Sequence, residues 1–72
     1  MKNYNLIKSR EKKKLTQEQL ALALGYKGKQ SVSNWENGYF SPPLEAVLKI
    51  SQILEEDIFF LFDNEVQESH TI

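Results

Sequence analysis

Thr16 to Gly38, T-Q-E-Q-L-A-L-A-L-G-Y-K-G-K-Q-S-V-S-N-W-E-N-G, holds two short helical patterns separated by a Gly-containing break, each closed by glycine. Its first half opens with a capping box: Thr16 can accept from the Gln19 amide while the Gln19 side chain reaches back to the Thr16 amide. Leu15 and Leu20 occupy the two positions of a hydrophobic staple, and Leu20, Ala21 and Leu24 recur at helical spacing. Gly25 supplies the left-handed residue that ends a helix. The spacing therefore predicts a helix over 17–24, a turn, and a second helix closed by Asn37-Gly38, which is a helix-turn-helix.

In the second helix Val32 and Trp35, three apart, can face a core, while Gln30, Ser33, Asn34 and Asn37 fall on another side at i, i+3, i+4 and i+7. That polar side carries no carboxylate. A solvated helix face is usually built from Glu and Lys, which favour helix, whereas amides and hydroxyls are poorer helix formers. Amide side chains can pair bidentately with adenine edges in the major groove of DNA, and Lys27 and Lys29, just before the helix, can meet guanine edges or phosphates. On spacing alone, a polar surface helix without a function fits the same residues equally well.

Size and composition narrow the alternatives. Seventy-two residues make one domain, with a folded part expected over 1–62 and a polar, disordered tail over 63–72. A single core of this size contributes only about 3–5 kcal/mol, and with no cysteine neither a disulfide nor a thiolate metal site can supplement it. The absence of cysteine fits a reducing cytoplasm. Met1 to Leu15 mixes Lys and Asn with few apolar residues, and the longest apolar runs, Leu20–Leu24 and Ile58–Phe62, fall far short of a membrane span. Export and membrane insertion are not expected.

The net charge of −1 conceals a division at Phe40. Up to that residue eight basic side chains (Lys2, Lys8, Arg10, Lys12, Lys13, Lys14, Lys27 and Lys29) stand against three acidic ones (Glu11, Glu18 and Glu36), a balance of +5. From Ser41 onward Lys49 stands alone against seven carboxylates (Glu45, Glu55, Glu56, Asp57, Asp63, Glu65 and Glu68), a balance of −6. A basic face is the electrostatic footprint of phosphate binding, and an acidic one disfavours it.

Asn5 to Lys14 reads as a leading helix with Leu6, Ile7 and Arg10 on one stripe. An arginine at a core-facing position wants a carboxylate, and Glu36, next to Trp35, is the best candidate; the alternative is two ordinary surface charges. Ser41 and Pro42 suit an N-cap and first helical position, and Leu44, Val47, Leu48, Ser51 and Leu54 form the expected core stripe of the next helix, widened by Ile50 and Ile53. Glu55-Glu56-Asp57 can cap or begin a short last helix through Phe62. The run Ile58–Phe62 could also be a strand, but no second strand candidate exists to pair with it. His70 lies in the polar tail, where a lone histidine is more often inert than a ligand or base.

With these pieces in order, the chain resembles the phage repressor/Cro (Xre-type) helix-turn-helix family from about Leu6 to Phe62. The matching elements are Arg10, L-T-Q-E-Q-L-A (Leu15 to Ala21), Gly25, Q-S-V-S-N-W-E-N-G (Gln30 to Gly38), the Pro42/Pro43 helix start and D-I-F-F-L-F. The resemblance implies an all-α, compact, five-helix lambda-repressor-like DNA-binding domain whose helix around Lys29 to Asn37 lies in the major groove. It also implies a phosphate contact at Gln17 and a structural pair of Arg10 with Glu36. The segment between Gly25 and Val32 is one residue longer than in the commonest members. Counting back from Val32 and Trp35 puts Lys29, Gln30, Ser33 and Asn34 at base-facing positions and Lys27 and Gly28 in the lengthened turn. Backbone-facing roles then fall to Gln17, Lys27, Asn37 and Tyr39.

Two functional classes remain. The leading one is a sequence-specific DNA-binding transcriptional regulator, a repressor occupying an operator as a homodimer through Phe59, Phe60 and Phe62, since no effector domain fits beside the DNA-binding one. The other is a protein-interaction module on the same fold, antitoxin-like or antirepressor-like, using its acidic and aromatic C-terminal segment. The basic first half favours double-stranded DNA as the partner. The sequence suggests no cofactor, metal or small-molecule effector, and without cysteine, a histidine in the folded part or a phosphate-binding Gly-rich loop it points away from an enzyme.

Overall fold

The computed structural model describes residues 1–62; the expected tail over 63–72, with His70, lies outside the described residues. Five helices follow one another: α1 (Tyr4–Lys12), α2 (Gln17–Ala23), α3 (Gln30–Glu36), α4 (Leu44–Leu54) and α5 (Ile58–Leu61). There is no strand among the described residues; the run starting at Ile58 takes the helical alternative through Leu61, with Phe62 at its C-cap.

The capping box forms at α2, with the Gln19 amide donating to Thr16 Oγ1 at 3.0 Å and the Thr16 amide donating to Gln19 Oε1 at 2.9 Å. Two matching glycine stops follow. Gly25 has φ +93° and Gly38 φ +78°. At each, the next amide reaches back to the carbonyl five residues earlier, Tyr26 to Ala21 at 3.0 Å and Tyr39 to Asn34 at 2.9 Å. The glycine amides themselves bond Leu22 and Trp35. These Schellman stops satisfy carbonyls that the helices would otherwise leave open. At Gly38 a side chain is excluded twice over, because a Cβ there would also collide with the Met1 backbone.

One core joins the helices: Leu6, Leu20, Ala21, Leu24, Val32, Trp35, Ala46, Ile50, Leu54, Leu61 and Phe62 are all buried. Burying each of the larger members stabilises the fold by roughly 1.5–3 kcal/mol relative to exposure. Tyr26, in the turn between α2 and α3, meets Trp35 edge to face with centroids 5.6 Å apart, pinning the turn to the core side of α3.

Four expectations need correction. The leading helix stops two residues early because Lys14 takes a left-handed conformation, φ 60°. The N-cap position of α4 is Pro43 rather than Ser41, with no side-chain cap. The helix is also rotated from its expected stripe: Ala46, Ile50 and Leu54 are buried, whereas Leu44 is 72% and Leu48 46% exposed. The small Ala46 side chain lies on the buried face and the two leucines lie outside it. Finally Phe62, expected at a dimer surface with Phe59 and Phe60, is only 3% exposed and fills the protomer's own core, just beyond the last turn of α5.

Candidate nucleic-acid interface

Behind α3 lies a buried polar network. Arg10 Nε donates to Glu36 Oε2 at 2.6 Å, Arg10 Nη2 to Glu36 Oε1 at 3.2 Å, and Arg10 Nη1 to the Leu15 carbonyl at 2.7 Å. The paired side chains are 11% and 3% exposed. Gln17 Nε2 completes the Glu36 carboxylate at 2.9 Å. A buried carboxylate with a forked partner and a further donor is held in one place. The network therefore ties α1, the start of α2 and the end of α3 into one rigid frame. Gln17, singled out for a phosphate contact, thus also serves this frame; it stays half exposed at the first turn of α2.

The opposite side of α3 presents the amide and hydroxyl residues. Lys29 and Gln30 are exposed, and Ser33, Asn34 and Asn37 are half exposed. They are linked one turn apart: Gln30 Nε2 donates to Asn34 Oδ1 at 3.1 Å, and Asn37 Nδ2 to Ser33 Oγ at 3.4 Å. Lys27 is exposed in the turn before α3, and Tyr39 is exposed just after it. The sequence-designated residues of α3 therefore share one solvent-facing strip, with Lys27 and Tyr39 at its two ends.

Three asparagine and lysine residues near the chain start were not singled out by sequence. Asn3 is buried; its amide donates to the Glu36 carbonyl at 2.8 Å and its Nδ2 to the Leu61 carbonyl at 2.7 Å, while its Oδ1 caps α1 at the Leu6 amide. Asn5 Nδ2 adds a bond to the Phe60 carbonyl at 2.9 Å. The one local signal was Asn3 itself, an N-cap residue type three positions before Leu6. Because Met1 packs beside Gly38 and Asn3 bonds Glu36, the intervening exposed Lys2 lies beside the C-terminal end of α3. Cations thus flank both ends of the strip.

Not every cation of the basic half is available in the same way. Lys13 Nζ bonds Glu55 Oε2 at 2.8 Å, joining the basic and acidic halves of the chain. The hydrogen bond and charge of Lys13 hold the Glu55 carboxyl below its ordinary value. Phe59 and Phe60, on α5, are 59% and 46% exposed. No group of acidic, histidine or cysteine side chains suited to a metal ion occurs among the described residues, and no described helix is long and apolar enough to cross a membrane.

The family model described as helix-turn-helix, of the Xre/Cro-like type, matches residues 6–61. Neither the curated proteins nor the solved structures give a significant match. The chain belongs to this helix-turn-helix family of DNA-binding regulatory domains.

Proposed function

We propose that this member of the Xre/Cro-like helix-turn-helix family is a sequence-specific repressor that occupies an operator in the cytoplasm. The observation that supports it most is the carboxylate-free strip of Lys29, Gln30, Ser33 and Asn34 on α3, backed by Val32, Trp35 and the Arg10–Glu36 pair. A helix fixed from behind and polar in front is what base-edge reading requires, since hydrogen bonds to bases discriminate only when the donors and acceptors are positioned. Gln17, Lys27, Asn37 and Tyr39 surround that strip and face the sugar-phosphate backbone, with Lys2 as an added cation. The domain spans residues 1–62.

The repressor acts as a two-fold dimer on DNA, with recognition helices about 34 Å apart on a near-palindromic site. Phe59 and Phe60 provide an outward aromatic surface for that pairing, a kind of patch that small domains usually cover with a partner. Titration with duplex DNA at several salt concentrations tests the reading. Binding should weaken with a log–log slope of about −0.9 per neutralised phosphate. Absence of binding to any duplex at low salt would contradict it and favour a protein-interaction module on the same fold. Sedimentation with and without DNA tests the pairing, and a single bound copy on a full operator would refute it.

A further inference from the structure

We infer that Gln30 orients Asn34 so that its N–H groups rather than its oxygen face the bases, and that the base pair facing Asn34 is G·C rather than A·T. The inference rests on the proposed reading of bases by α3. Gln30 Nε2 donates to Asn34 Oδ1 at 3.1 Å. A carboxamide is planar, with its oxygen and nitrogen on opposite sides of the carbon, so turning Oδ1 back along the helix toward Gln30 turns Nδ2 and its two N–H groups the other way. An asparagine reads adenine by donating to N7 and accepting from the N6 amino group, and that requires its oxygen. That oxygen keeps a second lone pair, but the bond from Gln30 holds it turned back along the helix, so the base-facing side of the amide is Nδ2. What it offers a base edge is donors, and the purine with two adjacent major-groove acceptors, N7 and O6, is guanine.

Gln30 is left differently equipped. It has spent one N–H and keeps its Oε1 and a second N–H, the acceptor and donor that adenine complements. Two amides one helical turn apart thus read different bases, because one has fixed the rotation of the other. Lys29, exposed at the start of α3, adds only donors to the same strip.

Selection of bound sequences from a random duplex pool, with the wild-type chain, Asn34→Ala and Gln30→Ala, tests this. The pair whose preference disappears in Asn34→Ala is the pair that Asn34 reads. The wild type should favour G·C there by roughly fivefold or more, the low end of what a base-edge contact supplies. In Gln30→Ala the released carboxamide can rotate, and A·T should become acceptable at the same pair. Replacing that guanine by 7-deazaguanine should weaken the wild type but not Asn34→Ala. A wild-type preference for A·T at that pair, no change there in Gln30→Ala, or no pair affected by Asn34→Ala would overturn the inference while sequence selection by the domain still stood. A pool in which no sequence is enriched would remove base readout itself, and the inference with it.

Discussion

Replacing Glu36 by alanine removes a carboxylate that is 3% exposed and accepts three hydrogen bonds, two from Arg10 and one from Gln17. Gln17 can turn to water, but the guanidinium is 11% exposed and keeps only its bond to the Leu15 carbonyl. Stranding one member of a buried pair typically costs about 3–5 kcal/mol. A domain of this size has about 3–5 kcal/mol in total, so Glu36→Ala should sit near or beyond its unfolding midpoint in plain buffer. With a urea slope of about 1 kcal/mol per molar, the wild type should melt at about 3–5 M while the variant shows no native baseline. Adding an osmolyte such as sucrose, which favours the compact state, should restore a transition from which the destabilisation can be read. Arg10→Ala/Glu36→Ala should lose less than the sum of the single losses, because neither charge is then stranded. A Glu36→Ala destabilisation under about 1 kcal/mol with no coupling to Arg10, the behaviour of an exposed pair, would refute the reasoning.

Ile50→Ala should cost about 2–5 kcal/mol, whereas Leu44→Ala and Leu48→Ala should stay within about 0.5 kcal/mol in the isolated chain; equal losses in urea melts would contradict the rotation of α4. The Glu55 carboxyl, held below its ordinary value of 4.5 by Lys13, contributes stability that is present above that ordinary value and is lost as pH falls through the lowered one. Lys13→Ala should return it toward 4.5 in a carboxyl-resolved titration and remove that share of the acid dependence; an unmoved Glu55 would contradict the pairing.

Local signals carried much of this fold because they are written in adjacent residues. Thr16 and Gln19 name the start of α2, and Gly25 and Gly38 name two stops that need positive φ. The rotation of α4 was not legible, since Leu44, Ala46, Val47, Leu48, Ile50, Ile53 and Leu54 spread apolar groups over more than half of the helix circumference. Periodicity then leaves the buried face undecided, and the face that is buried carries Ala46, Ile50 and Leu54. Phe59, Phe60 and Phe62 raise the same difficulty, for a four-residue helix has too little length to define a face. The bonds of Asn3 to Glu36 and Leu61 span distant parts of the chain and leave no pattern in sequence. Within the candidate interface, the i, i+4 spacing of Gln30 and Asn34 was readable, but not which amide donates to the other.

Under the proposed reading, α3 distinguishes bases while the cations around it hold the backbone. Equilibrium binding of Gln30→Ala and Lys27→Ala to a panel of single-base variants of the selected operator, each at several salt concentrations, tests it most directly. Gln30→Ala should flatten preference at one or two positions of each half-site, by about 1–3 kcal/mol for each base pair it no longer reads, with its salt slope nearly unchanged. Lys27→Ala should weaken every duplex alike and reduce the slope by about 1. If Gln30→Ala instead lost affinity uniformly across the panel, α3 would not be reading bases at that residue, which would contradict base readout by this helix.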